Sequence, residues 1–173
     1  PVTVKMRLGV DRTSVNAVEC ALAAQEGGAS LITVHGRTRS EMYSGEVDRE
    51  SIKKVKDSLQ IPLIANGDVC DAESALRLLR DTGADGIMIG RGAVGSPFIF
   101  SEITAALEGE CFTPPTVEQR VATAVRQLEL AVEDKGERIA IPEARKQIAL
   151  YLKGTSGVLF PISILMLLVK KVK

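Results

Sequence analysis

The sequence predicts an α/β fold: the C-terminal half of a TIM (β/α)8 barrel over residues 1–112, then a small all-helical domain over 113–173. Three observations carry that expectation. Four short β-rich runs are each followed by turn residues and a helical pattern, at a spacing of about 25–30 residues, the rhythm of βαβ units in a parallel sheet. Each run is apolar on both faces until it ends in polar groups, as buried strands do when they deliver side chains to one rim. After Pro114-Pro115 the strands stop and only helical periodicity continues. A closed barrel needs eight strands and typically about 250 residues, and this chain supplies four strands.

In order, the strands are "VTVKMR" (2–7), "LITVHG" (31–36), "PLIANG" (62–67) and "GIMIGR" (86–91). Helices are expected at 14–27, 48–59, 71–82 and 97–108. Asp71 is a good N-cap before the stripe Ala75, Leu78 and Leu79. Gly27-Gly28 and Gly83 close the preceding helices. In the second domain, Val117, Val121, Val125, Leu128 and Val132 share a helix face that stops at Gly136. Thr116 to Gln119 forms a capping-box pattern at its start. Further helices are expected at 142–153 and 161–172.

Composition narrows the function classes. The chain is 45% hydrophobic and 25% charged, ordinary for a globular protein able to bury a core. Aromatics make up only 3%, with no Trp, which argues against aromatic stacking platforms. Net charge is zero but uneven: residues 1–112 hold 12 Lys/Arg against 16 Asp/Glu, and residues 113–173 hold 10 against 6. A basic C-terminal region points to a polyanion partner, although a solvated basic helix face fits as well. Cys20, Cys70 and Cys111 form no CxxC pair, so neither a zinc site nor a disulfide framework is expected, and a reducing cytoplasm fits. No signal peptide opens the chain. The apolar run from Val158 to Val169 is too short to span a bilayer, is interrupted by Pro161, and reads as a buried helix. Starting at Pro1 inside a strand pattern, the chain reads as a fragment.

The chemistry gathers at the four strand ends: Lys5 and Arg7, His35 and Arg37, Asn66 and Asp68, Gly90 and Arg91. In "GIMIGRGAVGSP", Gly90 and Gly92 follow a strand and precede a helix, where backbone N–H groups and the helix N-terminus favour an anion. Arg91 adds a charge-assisted donor. Glycines in such a turn also serve simply to make it tight. Asn66 in "IANGDV" can donate and accept at once, which suits a heterocycle or ribityl hydroxyls. Asp68 fits equally well as a turn residue leading into a helix. Lys5 lies in an apolar strand, so either it pairs with an anion or its strand end is open to solvent. A lone histidine is usually structural, yet His35 in "VHGRTR" has Arg37 and Arg39 beside it, which favours a phosphate or a flat electron-rich ring.

The stretches "VKMR", "VHGRTR", "YSG", "NGD" and "IGRGAVGSPFIF", in this order and spacing, resemble the tRNA-dihydrouridine synthases, flavin-dependent reductases of tRNA uridines. "ARKQIALYLKG" followed by a further glycine resembles that family's C-terminal helical RNA-binding domain. The resemblance covers nearly the whole chain and departs after Gly157, at "VLFPISILMLLVKKVK".

That resemblance implies FMN at the C-terminal mouth of the barrel. Lys5 would lie against the isoalloxazine edge and stabilise the anionic reduced flavin, and His35 would contact the flavin and its phosphate side. Asn66, Gly67 and Asp68 would line the ribityl chain and phosphate, and Gly90 with Arg91 would hold the phosphate. Arg7, Arg37 and Arg39 would face the tRNA or its flipped-out uridine, with Lys146 and Lys153 on RNA phosphates. NADPH would reduce FMN, whose N5 delivers hydride to C6 of the uracil while a cysteine protonates C5. That cysteine is expected upstream of Pro1; Cys70 would approach from the wrong side of the flavin, and Cys20 and Cys111 read as structural. The isolated chain is therefore expected to be inactive and to self-associate through open sheet edges. The alternatives are another FMN-barrel oxidoreductase and a non-catalytic, RNA-binding or self-associating fragment.

Overall fold

The computed structural model describes residues 1–154; the helix expected at 161–172 lies outside them. The elements are β1 (Val2–Arg7), α1 (Ala17–Glu26), β2 (Ala29–His35), α2 (Arg49–Ser58), β3 (Leu63–Asn66), α3 (Ala72–Thr82), β4 (Gly86–Met88), α4 (Ile99–Glu108), α5 (Val117–Lys135) and α6 (Glu137–Tyr151). A single 3-10 turn, Arg91–Ala93, lies between β4 and α4. Among the described residues two compact units result: Pro1–Gly92 with Ser101–Cys111, and Ala93–Phe100 with residues 112–154.

In the first unit the strands form one sheet in the order β1-β2-β3-β4, every pair parallel. This is the α/β half-barrel the strand rhythm predicts. Ile32, Val34, Leu63 and Ala65 have no solvent exposure and alternate along β2 and β3, so one face of the sheet is fully buried along its two central strands and half-buried at Val4, Met6 and Ile87 of the outer two. Helices α1, α2 and α3 pack in succession, α1 against β1 and β2, and α3 against β3 and β4. Their buried side chains include Ala21, Ile52, Val55, Ala75 and Leu78, the helical stripes that bring each βα unit down onto the sheet.

Register decides what the other face presents. Arg7 pairs with His35, His35 with Asn66, and Asn66 with Met88, so the strand ends stand level. Partners across a parallel sheet point to the same side, and so do residues two apart in a strand. Lys5, Arg7, His35, Asn66 and Met88 therefore share one face at one end.

Several boundaries differ from the sequence expectation. β4 is three residues long, half the apolar run "GIMIGR", so Arg91 sits in the 3-10 turn rather than at a strand end. α4 begins at Ile99, so no α-helix N-terminus stands at the Gly90–Gly92 turn. That removes the helix contribution expected at this anion site and leaves backbone N–H groups and Arg91.

The second unit holds α5 and α6 in antiparallel succession around Gly136, which ends one helix and starts the next at φ 75°, a left-handed conformation that glycine adopts without strain. α6 begins at Glu137, earlier than Pro142, the expected first residue. Pro142 therefore lies inside the helix, where it removes the hydrogen bond to the Arg138 carbonyl four residues back. Tyr151 donates through its hydroxyl to Gln127 Oε1 at 2.6 Å, and Gln127 donates in turn to Gln147, tying the two helices by a half-buried polar chain. Among the described residues, no helix is long and apolar enough to cross a membrane.

Candidate functional site

A cavity of about 610 Å³ opens at the C-terminal end of the sheet. Its walls come from all four strands: Lys5 and Arg7 of β1, His35 of β2, Asn66 to Cys70 at and beyond β3, and Met88 to Gly92 at and beyond β4. Tyr43, from the loop after β2, completes it. The structure thus brings Lys5, Arg7, His35, Asn66, Gly67, Asp68, Gly90 and Arg91 together.

Lys5 is exposed and makes no ion pair among the described residues, so its ammonium is available to a ligand. Of the two explanations for a lysine in this strand, the open strand end holds. Arg7 has its Nη1 committed to Thr38 O at 2.8 Å and Met42 O at 3.0 Å, which ties β1 to the loop beyond β2. Its charge still reaches the cavity.

His35 is 7% exposed, yet no group among the described residues hydrogen-bonds its ring. Burial lowers its pKa to about 4, helped by the nearby charges of Arg7, Lys5 and Arg37 and opposed by Asp68. At neutral pH it is an uncharged imidazole with one donor and one acceptor nitrogen.

Asn66 donates from Nδ2 to Met88 O at 2.7 Å, which fixes the amide and leaves Oδ1 as an acceptor. Gly67 sits at φ 134°, and a Cβ there would stand 2.4 Å from Val47 Cγ2 and 3.2 Å from His35 Cδ2. Any larger residue would be strained at this φ and would displace Val47, while crowding His35. At Gly92 a Cβ would meet Val69 O at 2.1 Å, so this glycine keeps two turns in contact. Gly90 differs: a Cβ there meets nothing within 4 Å and would occupy the cavity itself.

Arg37 departs from its expected RNA-facing role. It is 2% exposed, and its guanidinium grips Asp68 with both ends, Nη1 to Oδ1 at 2.8 Å and Nη2 to Oδ2 at 2.6 Å. It also donates from Nε to Ser44 O at 3.0 Å and from Nη2 to Gly45 O. A buried guanidinium is costly unless its N–H groups find acceptors, and two carbonyls with a bidentate carboxylate take up four of the five. The hydrogen bonds from Arg37 hold the Asp68 carboxyl below the usual carboxylate range, against the opposing effect of burial. Arg39 is exposed, and its side chain makes no hydrogen bond or ion pair among the described residues. Lys153 is exposed in the second unit, and the side chain of Lys146 lies outside what is described.

Tyr43 is a lining residue with no role assigned from the sequence. Its ring carries the Arg91 guanidinium at 4.2 Å from the centroid and Arg7 at 5.9 Å. Arg91 also stands 3.8 Å from Asp68. The signal was present in "YSG", an aromatic shortly after "VHGRTR" in a chain with few aromatics. Cys70 lines the cavity, whereas Cys20 and Cys111 do not, and all three are exposed free thiols. The exposure of Cys20 and Cys111 is at odds with a packing role.

Fold and site define the class: half of a (β/α) barrel whose strand ends surround a cation-rich cavity with a neutral histidine. The family model described as dihydrouridine synthase (Dus) matches residues 1–160, and the chain belongs to that family. It is 43% identical over 155 residues to a probable tRNA-dihydrouridine synthase of Rickettsia conorii, a match covering 89% of this chain and 47% of that protein. It is 44% identical over 158 residues to probable tRNA-dihydrouridine synthase 1 of Synechocystis, covering 91% and 44%. To tRNA-dihydrouridine synthase B of Pasteurella multocida it is 39% identical over 155 residues, covering 89% and 47%. The chain spans about half the length of these curated relatives. Among solved structures, a mandelate oxidase variant with (S)-mandelic acid overlaps at a TM-score of 0.45 and 20% identity, covering 83% of this chain and 54% of that one.

Proposed function

We propose that this chain carries the flavin-holding half of a tRNA-dihydrouridine synthase, acting with FMN and NADPH to reduce uridine to 5,6-dihydrouridine in cytoplasmic tRNA. The single observation that carries the reading is the level row of Lys5, Arg7, His35 and Asn66 facing one cavity, with Arg91 at its side. Residues 1–112 form the barrel portion and 113–173 the RNA-binding portion.

The donor set suits FMN. Gly90 presents backbone without a side chain in the way, and Arg91 supplies a cation for a dianionic phosphate. Neutral His35 offers a hydrogen bond without adding a fourth cation beside Lys5, Arg7 and Arg91. Asn66 Oδ1 accepts from a ring N–H or a ribityl hydroxyl. Lys5 places its ammonium where negative charge on a reduced ring system is stabilised. When bound, FMN supplies the two-electron reduction, fed by NADPH. Asp68, saturated by Arg37, acts less as a ligand than as the fixed carboxylate that orients the turn around it. Arg39 and Lys153, with Lys146, offer charge to RNA phosphates.

The test is flavin retention. Chain incubated with FMN and passed through gel filtration is expected to stay yellow, and Lys5→Ala and Gly90→Val to lose the flavin absorbance band. Colourless wild-type protein, or unchanged retention in both variants, would overturn the reading.

A further inference from the structure

The mouth of the cavity carries a feature the donor set does not account for. Tyr43 is 55% exposed, its neighbour Met42 adopts φ 51°, and the loop bearing both is nonetheless tied down by Arg7 and Arg37. Both guanidinium groups spend hydrogen bonds on carbonyls of this loop: Thr38 and Met42 for Arg7, Ser44 and Gly45 for Arg37. Thr38 N and Oγ1 donate to Glu41, which Arg12 holds from outside. A loop tied by three long-range bonds, two from Arg7 and one from Arg12, and by four local ones is held in one conformation. What it presents is the Tyr43 ring, and what lies on that ring is Arg91.

We propose that Tyr43 is a positioning residue for Arg91, holding the guanidinium between its ring and the Asp68 carboxylate so that a phosphate end group in the cavity meets a cation already in place. This rests on the reading of the cavity as an FMN site and adds a residue to it. Arg91 itself is 63% exposed, and its 3.8 Å approach to Asp68 is too open to fix so long a side chain. The stack on Tyr43 at 4.2 Å supplies the second restraint. Arg37 completes the arrangement from below, because its fork fixes Asp68 and its remaining donors fix the loop that carries Tyr43. The ring, not the hydroxyl, does the holding: the Tyr43 hydroxyl has no hydrogen-bond partner among the described residues. Pre-placing a flexible cation spares the ligand the cost of ordering it.

The experiment compares FMN with riboflavin, which lacks the phosphate, by fluorescence titration of the full chain. Tyr43→Ala and Tyr43→Leu are expected to weaken FMN roughly two- to fivefold, the range of an exposed cation–π contact, and to leave riboflavin unchanged. Tyr43→Phe should keep the wild-type preference for FMN. In an Arg91→Ala background, Tyr43→Leu should have no further effect. Equal losses for both flavins would mean that the ring touches the flavin or only supports the fold, and would overturn the proposal. So would an unchanged FMN preference in the Ala and Leu variants. A wild-type chain that binds neither flavin, or both alike, would overturn the FMN reading and this inference together, whereas an intact preference in the variants would overturn the inference alone.

Discussion

His35 is the only histidine in the chain, so its protonation can be followed without ambiguity. Burial and the facing cations lower its pKa from an ordinary 6.5 to about 4. The unfolded chain therefore takes up the proton first as pH falls. The stability this implies is complete above about pH 6.5 and is lost as pH drops from there toward about 4. An NMR titration of the imidazole is expected to give a midpoint near 4, and His35→Gln should flatten the decline in stability between pH 7 and 5. A midpoint near 6.5 would put the ring in solvent. At this scale the sequence showed that Lys5 lies near the end of a strand and that His35 and Asn66 end theirs, because each follows an apolar run. It did not show that Arg37 is buried, because its partner Asp68 lies 31 residues away and only folding puts the two in contact.

At the scale of elements, local chemistry was most legible where caps are strong. Asp71 accepts from Ser74 N at 2.7 Å, and Ser74 Oγ accepts from Asp71 N at 3.1 Å, a reciprocal cap on α3. The hydrogen bonds from Ser74 lower the Asp71 pKa, so the cap is present above the ordinary carboxylate range and weakens as pH falls through it. Asp71→Ala is expected to cost about 1 kcal/mol, read as a shift in denaturant midpoint near neutral pH, with the loss shrinking at acid pH. No change at neutral pH would mean that tertiary packing alone sets the start of α3. Thr116 and Gln119 cap α5 in the same reciprocal way. The ends of β4 and the start of α6 were less legible. β4 stops where β3 stops offering partners, and α6 takes in Pro142 because neither limit is written in residue type.

For the whole molecule, the proposed partner is a polyanion, and Arg39 and Lys153, two of the basic side chains offered to it, are exposed. Binding of tRNA is expected to weaken steeply with added salt through counterion release. Arg39→Ala and Lys153→Ala should each lower the slope of log affinity against log salt by about 1. Fluorescence anisotropy at several salt concentrations measures this, and a slope unaltered by either change would make both residues mere solvated surface.

The sequence by itself determined the kinds of element and their order: apolar runs ending in polar groups, helical stripes between glycine stops, and capping pairs are written within a few residues of one another. It also carried the family resemblance, because the motifs at the strand ends keep their order and spacing. Tertiary structure alone decided the register that sets Arg7, His35 and Asn66 level, the burial of Arg37 on Asp68, and the stacking of Arg91 on Tyr43. These depend on pairings between distant parts of the chain. A side chain's residue type says what it can bond to, and only the packing of strand against strand says which partner stands within reach.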